Sequence, residues 1–542
     1  MNKKQTYLLA LLSAFLLWLA WPPMPFTTPL LLIGLVPLFI ALNSISGNSE
    51  KKQGKRVFLT AGLTFLVWNT ASIYWVYNAI SAYNTGFIGT LVSFFVSLIP
   101  YGLGALLMTF AFWLYYRLGK YVNKKIAYLG LIAFYIALEY LQQTWDLAFP
   151  WMTLGNGLAE MHQLAQWYDH TGVYGGSLWI LVSNILAFEA YKKFKSQTGY
   201  LRFRTAGIWA LAVIIPIGIS LTKYFTAEQK GTPSNVVVVQ PNIDPYQKLE
   251  SIPVSEQIKI LTHLSDSVGQ SNTEYFIWPE TAIPSRADED RIRSNPDFYT
   301  LQSFLSKYKN GTLITGIESI KIYQTKKTLS AKYDPQSNQY WDNFNTAMQV
   351  ENSANVQFYH KSKLVPGVEK MPFPKVFSFL DGVFAELGGA VGGWGWQEKP
   401  DVLYAQSGIG VAPVICYESL WGEWVAQSVK DGAQFIAIIT NDGWWGNTSG
   451  KDQHMMYAKL RAIETHRDVA RSANTGISCF INQRGDITQS TKWWTRTAIK
   501  ANINLNDEIT FYVKSGDIIA KILSVLAVIL ALIIPYRKWV KK

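Results

Sequence analysis

Apolar positions are spread unevenly along the chain: they fill residues 5–222, give way to a mixed pattern, and return at 516–536. A helix needs roughly 20 apolar residues to cross a bilayer. Runs of that order lie at about 5–22, 27–44, 57–78, 86–116, 126–142, 173–190, 205–222 and 516–536, some interrupted by Pro or Gly, so about eight spans are predicted. The first reads as a span and not a cleaved leader. Lys3 and Lys4 precede it, but no small-x-small site follows before Trp21-Pro22-Pro23.

Between the two apolar blocks the periodicity is that of an ordinary folded domain. Residues 234–242 are a β-branched run ended by Pro, the mark of a buried strand. Short apolar runs follow at 275–278, 311–317, 345–350, 356–359, 409–415, 435–440 and 477–481, and helical spacing is predicted over 256–268, 298–308, 418–430 and 452–472. Alternating short strands and helices predict an α/β domain with a buried sheet. The chain thus divides into a membrane domain with seven spans (1–223), a folded domain (224–515), and an eighth span with a basic tail (516–542). A Gly-rich aromatic stretch at 387–396, ending Trp394-Gly395-Trp396, reads as a loop that either dips into lipid or covers the domain's own core.

Composition sharpens this picture. Charged residues are only 16% of the chain, against about a quarter in soluble proteins. With the N-terminus inside, the segments placed in the cytoplasm hold 19 Lys and Arg against Glu50 and Glu189, while the loops near 23–26, 79–85 and 143–172 hold no Lys or Arg. This asymmetry orients the chain and puts 224–515 on the outer face. Those segments carry a net +17 of a total +12, leaving −5 for the remainder, so the basic balance faces anionic lipid and gives no support to nucleic-acid binding. Charge is nearly absent from the spans, which favours an anchor over an ion path; Glu139 is the exception, placed to line a polar cavity.

The two cysteines, Cys416 and Cys479, allow a disulfide. Their contexts differ. Cys479 sits within a strand-like run, as a buried small side chain would, whereas Cys416 ends the apolar strand Val411–Ile415 and is followed by Tyr417-Glu418-Ser419 opening a helix. A strand-to-helix turn exposes a nucleophile, and a helix N-terminus favours a thiolate and offers N–H groups to an oxyanion. His454 or His466 would serve as its base in a Cys–His arrangement. Glu280 is another candidate base, a carboxylate in apolar surroundings at the end of Tyr275-Phe-Ile-Trp-Pro; Lys361 and Lys363 follow a further strand end at Phe358-Tyr359-His360.

Trp278-Pro-Glu280, Tyr359-His-Lys361-Ser-Lys-Leu-Val-Pro366 and Ile415-Cys-Tyr-Glu-Ser419, in that order at three strand ends, resemble the carbon–nitrogen hydrolase (nitrilase) superfamily. The resemblance implies an αββα sandwich with Glu280 as general base, Lys361 as electrostatic stabiliser and Cys416 as nucleophile. Leu364-Val-Pro followed by Glu369, together with the spans, is similar to the apolipoprotein N-acyltransferase family. Phe149-Pro-Trp151, Gly172, Gly176, Thr440-Asn-Asp442, Trp444, Gln453-His454, Arg461, Glu464, Arg467 and Asn474-Thr-Gly476 extend the likeness over the whole length. It departs where Gly367-Val368 replace a Phe-Gly pair and where Leu249 replaces a Trp.

This likeness implies an enzyme of the bacterial inner membrane. It moves an acyl chain from a phospholipid donor, through a Cys416 thioester, to the α-amino group of a diacylated apolipoprotein at the bilayer surface. Glu369, Tyr417 and Glu418 are then expected to support the site or its oxyanion, with Trp394 and Trp444 at substrate access and His454 reduced to support. The sequence shows no metal cluster, phosphate loop or dinucleotide motif, so no metal and no cofactor are expected. A membrane-tethered amidohydrolase with the same triad is the alternative.

Overall fold

The computed structural model describes residues 1–47, 52–81, 86–245, 248, 251–373 and 393–540. Leu249 and most of the 387–396 loop lie outside them. Two compact units result: one comprises Met1–Tyr77, the chain from Gly86 to Ala227 and the C-terminal stretch from Ser515; Asn78–Ser81 and Glu228–Lys514 cluster in the other.

The first unit is helical: α1 (Lys3–Leu19), α2 (Val36–Gly47), α3 (Gln53–Ser72), α4 (Trp75–Ser81), α5 (Gly86–Leu118), α6 (Lys124–Thr144), α7 (Tyr168–Ser196) and α8 (Leu201–Thr226). Six stretches among the described residues are long and apolar enough to cross a membrane, and α3 with α4, bent by 61°, forms a seventh as one broken span. The eighth span expected from the sequence is α1. Its 17 residues rise ~26 Å, at the lower end of the length with which a helix crosses a ~30 Å hydrocarbon core.

Leu211, Ile214, Ile215 and Ile219 of α8 point outward, an apolar surface suited to lipid and not to water. Inside, polar side chains close backbone groups left open where helices break. Asn184 accepts from Leu35 N at 2.7 Å and donates to Leu31 O at 2.7 Å, joining α7 to the turn before α2. Glu139, buried on α6, accepts from Leu154 N at 2.7 Å and so holds the turn that follows that helix.

Close approach in this unit depends on small residues. Tyr168 donates to Gly155 O at 2.8 Å across a gap that a Cβ on Gly176 would fill, at 1.8 Å from the Tyr168 hydroxyl.

The second unit is a four-layered αββα sandwich. Its elements are β1 (Thr232–Gln240), α9 (Val254–Val268), β2 (Thr273–Ile277), β3 (Ile283–Asp288), α10 (Pro296–Leu305), β4 (Thr312–Tyr323), β5 (Lys332–Asp334), β6 (Gln339–Glu351), β7 (Val356–His360), β8 (Leu403–Tyr404), β9 (Gly410–Ile415), α11 (Gly422–Lys430), β10 (Phe435–Thr440), α12 (Ser449–Thr465), β11 (Val469–Ala473), β12 (Cys479–Ile481), β13 (Ile487–Ser490) and β14 (Thr497–Leu505). The short α13 (Phe511–Ser515) leads back to the first unit, which ends with α14 (Ile518–Val540).

One sheet runs β14-β1-β2-β4-β6-β5, with β3 on β4 and β7 on β6; the other runs β13-β12-β11-β10-β9-β8. The two-residue period of a strand sorts the layers. Val236 and Val238 face Ile415, Phe435 and Ile439 of the opposing sheet, whereas Val237 and Val239 pack under Ile258 and Leu261 of α9 and Phe304 of α10. On the far side Val414, Ile436 and Ile438 pack under Val425 and Val429 of α11 and Ala458 and Ala462 of α12. Burial on both faces explains why these strands read as unbroken apolar runs.

The helix expected over 452–472 ends at Thr465. His466 takes a left-handed φ of 51° and Val469–Ala473 becomes a central parallel strand, so the apolar Val469 belongs to a sheet and not to the helix period.

Replacing Gly176 by Ala is expected to cost ~1–3 kcal/mol through overpacking. The G176A protein in detergent should unfold several degrees lower in a thermal scan. Gly218→Ala, where nothing lies within 4 Å of the added carbon, should leave the transition in place.

Candidate active site

Three strand ends deliver the central groups. Glu280 lies just past β2, in a turn whose next residue, Thr281, has φ 48°. That turn rests directly on β4: Gly316 N donates to Pro279 O at 3.2 Å, and a Cβ on Gly316 would lie 2.7 Å from Glu280 Cα. Lys361 extends β7 by one residue, its N–H donating to Asn345 O of β6 at 2.8 Å. Cys416 follows β9 and opens a 3₁₀ turn, Cys416–Leu420, with a left-handed φ of 51°.

The Lys361 ammonium is 1% exposed and bridges two carboxylates, donating to Glu280 Oε1 at 3.1 Å and Glu369 Oε1 at 2.8 Å. Burial alone would lower its pKa. The charges of Glu280 and Glu369, with a contribution from Cys416, outweigh burial and hold the ammonium well above its usual range. Asn345 Nδ2 adds donors to Glu280 Oε1 at 2.7 Å and Glu369 Oε1 at 3.4 Å. Glu280 therefore meets polar donors and not the apolar surroundings expected from its neighbours in sequence.

Glu369 reaches this cluster from a tight turn. Its second oxygen accepts from Val365 N at 2.8 Å, and Gly367, at φ 82°, lets the turn close with Gly367 N on Lys370 O at 2.8 Å. The Gly367-Val368 departure thus still presents the glutamate.

Burial pushes the Cys416 thiol up, Glu280 adds to the rise, and Lys361 and the hydrogen-bonding Thr440 hydroxyl pull it back only in part. Desolvation at this buried strand end opposes the thiolate that the sequence context favours. A thiol in this state needs a base to become a nucleophile.

Glu418 fastens the Cys416 turn to the lysine segment. Oε1 accepts from Ser362 N at 2.7 Å and the Tyr359 hydroxyl at 2.8 Å, while Oε2 accepts from Ile415 N at 2.8 Å. Burial raises its pKa, and the backbone donors Ile415 and Ser362 lower it in opposition. Tyr417, also buried, sets its ring edge-on to Trp421 at 4.9 Å.

His454 is part of a support. Nδ1 lies 3.0 Å from Asp442 Oδ1, and Nε2 lies 3.1 Å from Cys416 O and 2.9 Å from Ser419 Oγ. Asp442 is held by Arg471 at 2.7 Å and kept well below the usual carboxylate range: the charges of Arg471 and His454 outweigh its burial. His466 caps the far end of α12. Both cysteines are free, Cys479 packing in the outer core under α12 with its thiol raised by burial to about 11.

Of the expected residues, Glu280, Lys361, Glu369, Cys416 and Glu418 are thus brought together. Trp394 joins them through its backbone, Trp394 N donating to Glu369 O at 3.0 Å, and Gly395 packs on Phe344, so the described end of that loop covers its own domain. Trp444 stands apart, in a groove with Asn447, Trp493 and Trp494. Sequence reading missed Asn345, Gly316 and Lys248, whose buried ammonium donates to Glu280 O at 3.0 Å. None of them lies in the short motifs around Glu280, Lys361 and Cys416.

Residues 235–511 match the family model described as carbon–nitrogen hydrolase. The chain belongs to that family. Residues 13–186 match a second model, the apolipoprotein N-acyltransferase N-terminal domain. Curated apolipoprotein N-acyltransferases align along the full length: that of Chlorobaculum tepidum is 28% identical over 98% of this chain and 97% of its own, that of Geobacter metallireducens 26% over 95% and 93%, and that of Thermotoga maritima 25% over 96% and 92%. Both halves together put the chain among the apolipoprotein N-acyltransferases, multi-pass membrane enzymes of lipoprotein maturation.

Because both Glu418 oxygens accept N–H bonds, an amide there leaves one donor facing another. Glu418→Gln is expected to cost ~1–3 kcal/mol, lowering the thermal midpoint and slowing Cys416 acylation at least tenfold, as measured with a labelled acyl donor.

Proposed function

We propose that Glu280, Lys361 and Cys416 carry out a two-stage acyl transfer from a membrane phospholipid to the α-amino group of a diacylglyceryl-modified N-terminal cysteine. One observation carries the reading: a raised thiol, a buried carboxylate and a buried ammonium converge from three strand ends in one electrostatically coupled cluster. Glu280 takes the Cys416 proton, and the thiolate attacks the ester carbonyl carbon of the phospholipid. Lys361 and the Tyr417 N–H stabilise the resulting oxyanion. On collapse the C–O bond breaks, Glu280 returns its proton to the leaving lysophospholipid oxygen, and a thioester remains.

In the second stage the acceptor amine attacks the thioester, Glu280 accepts an amine proton, and the C–S bond breaks. The proton passes from Glu280 to the Cys416 sulfur, restoring the thiol as the amide leaves. Glu369 holds Lys361 in place, and Glu418 holds the nucleophile turn. The Lys and Arg bias of the loops supports a catalytic domain on the outer face of a bacterial inner membrane, the surface at which both lipid-anchored substrates would be reached. Trp394 and Trp444 are assigned to substrate access on the strength of their places beside the Glu369 turn and just past Thr440.

Purified protein incubated with a phospholipid carrying labelled acyl chains, and no acceptor, should acquire label released by neutral hydroxylamine. Cys416→Ser should acquire none, and Glu280→Gln should slow labelling by ~10²-fold or more. A diacylated lipopeptide added afterwards should take up the label on its amine. Folded protein that stays unlabelled, or that sheds the acyl group only to water when the lipopeptide is present, would sink the transfer mechanism and favour the amidohydrolase.

A further inference from the structure

The peptide group that joins Cys416 to Tyr417 is gripped at its carbonyl. Cys416 O accepts from the Ser419 hydroxyl at 2.9 Å and lies 3.1 Å from His454 Nε2, which is itself 2.9 Å from Ser419 Oγ. A carbonyl oxygen only accepts, and the single Ser419 hydroxyl proton is directed to it. Nε2 therefore carries a hydrogen and shares it between Cys416 O and Ser419 Oγ. The imidazole is buried and held from its other side: Nδ1 lies 3.0 Å from Asp442 Oδ1 and 3.1 Å from Arg471, and Trp445 meets the ring edge-on with centroids 5.2 Å apart. Burial would raise the Asp442 carboxyl, but Arg471 and His454 hold it well below the usual carboxylate range, so the ring is anchored on an anion.

The turn is fastened independently of this ring. Glu418 accepts from Ile415 N at 2.8 Å and Ser362 N at 2.7 Å, and Arg461 donates to Ser419 O at 3.2 Å and Leu420 O at 3.0 Å. What His454 and Ser419 add falls on one peptide. The Cys416–Tyr417 bond is trans, so its N–H points opposite to its carbonyl. Donors at a carbonyl polarise the whole group and strengthen the hydrogen bond that its N–H can give, the more so in a dry interior.

We propose that His454, with Ser419, is a positioning residue that acts through the Cys416–Tyr417 peptide, strengthening the Tyr417 N–H as a donor to the oxyanion formed when Cys416 is acylated. This rests on the reading of that N–H as an oxyanion donor. His454 touches no reacting atom. Its effect falls on the transition state and not on substrate binding, because the charge it helps to stabilise develops only as the acyl carbonyl is attacked.

The test acylates Cys416 with an activated ester carrying an isotope-labelled carbonyl, and reads both the kinetics and the infrared stretch of the thioester carbonyl. In wild-type protein that stretch should lie at lower wavenumber than in the same acyl-protein after denaturation. His454→Leu is expected to slow acylation ~10-fold, less than the ~10²–10³-fold of losing an oxyanion donor outright. The half-saturating ester concentration should change little, and the stretch should move toward its denatured value. His454→Gln, which offers an amide N–H in place of Nε2, should recover most of both. Ser419→Ala should move rate and stretch in the same direction as H454L, and it carries the test should H454L fail to fold. Slower acylation with the wild-type stretch, a change confined to the half-saturating concentration, or no change at all would overturn the proposal. A wild-type stretch equal to the denatured one would instead overturn the oxyanion role of the Tyr417 N–H, and wild-type protein that never acquires the acyl group would overturn the transfer reading itself.

Discussion

A lysine ammonium withdrawn from water has to be surrounded by negative charge, and Lys361 imposes that condition on the sandwich domain. Its two carboxylates come from distant parts of the chain, Glu280 from the end of β2 and Glu369 from the turn after β7. Asn345 spans both. The cluster therefore has to be built as a unit, and the sheet that carries β2, β4, β6 and β7 is what brings its members into register. Cys416 is added from the opposite sheet, and its turn is fastened by Glu418, whose carboxylate ties the end of β9 to the residues just past Lys361.

Burial and charge act differently on the two ends of the cluster. The charges of Glu280 and Glu369 favour the charged form of Lys361, while burial favours the protonated form of the Cys416 thiol. In the proposed two-stage transfer this arrangement makes the sulfur nucleophilic only when a neighbouring base removes its proton. The site is dry enough for such control because the two sheets close around it, with Cys416 itself only 9% exposed.

Much of this was legible in the sequence, and the reason is local. Glu280, Lys361 and Cys416 each close an apolar strand, so the pattern that marks the strand also marks the residue at its end. The spans were legible for the same reason, since each is an unbroken or nearly unbroken apolar run. What was hidden depends on pairing across the sheet. Asn345 matters because β6 pairs with both β4 and β7, and Gly316 matters because the Pro279–Thr281 turn lies on it. Neither residue announces this in its own neighbourhood. His454 was readable as a possible base because a histidine near a cysteine is a familiar pair; only the fold shows its ring turned to the Cys416 carbonyl and Asp442.

The two cysteines lie on opposite faces of one sheet, Cys416 in the core between the sheets and Cys479 beneath the outer helices. The sheet backbone stands between them, so oxidation cannot join Cys416 to the other cysteine of the chain. A sulfenic acid formed at Cys416 by a small oxidant therefore has no cysteine of the same chain to condense with, and an external thiol is what reverses it before it advances to the sulfinic stage.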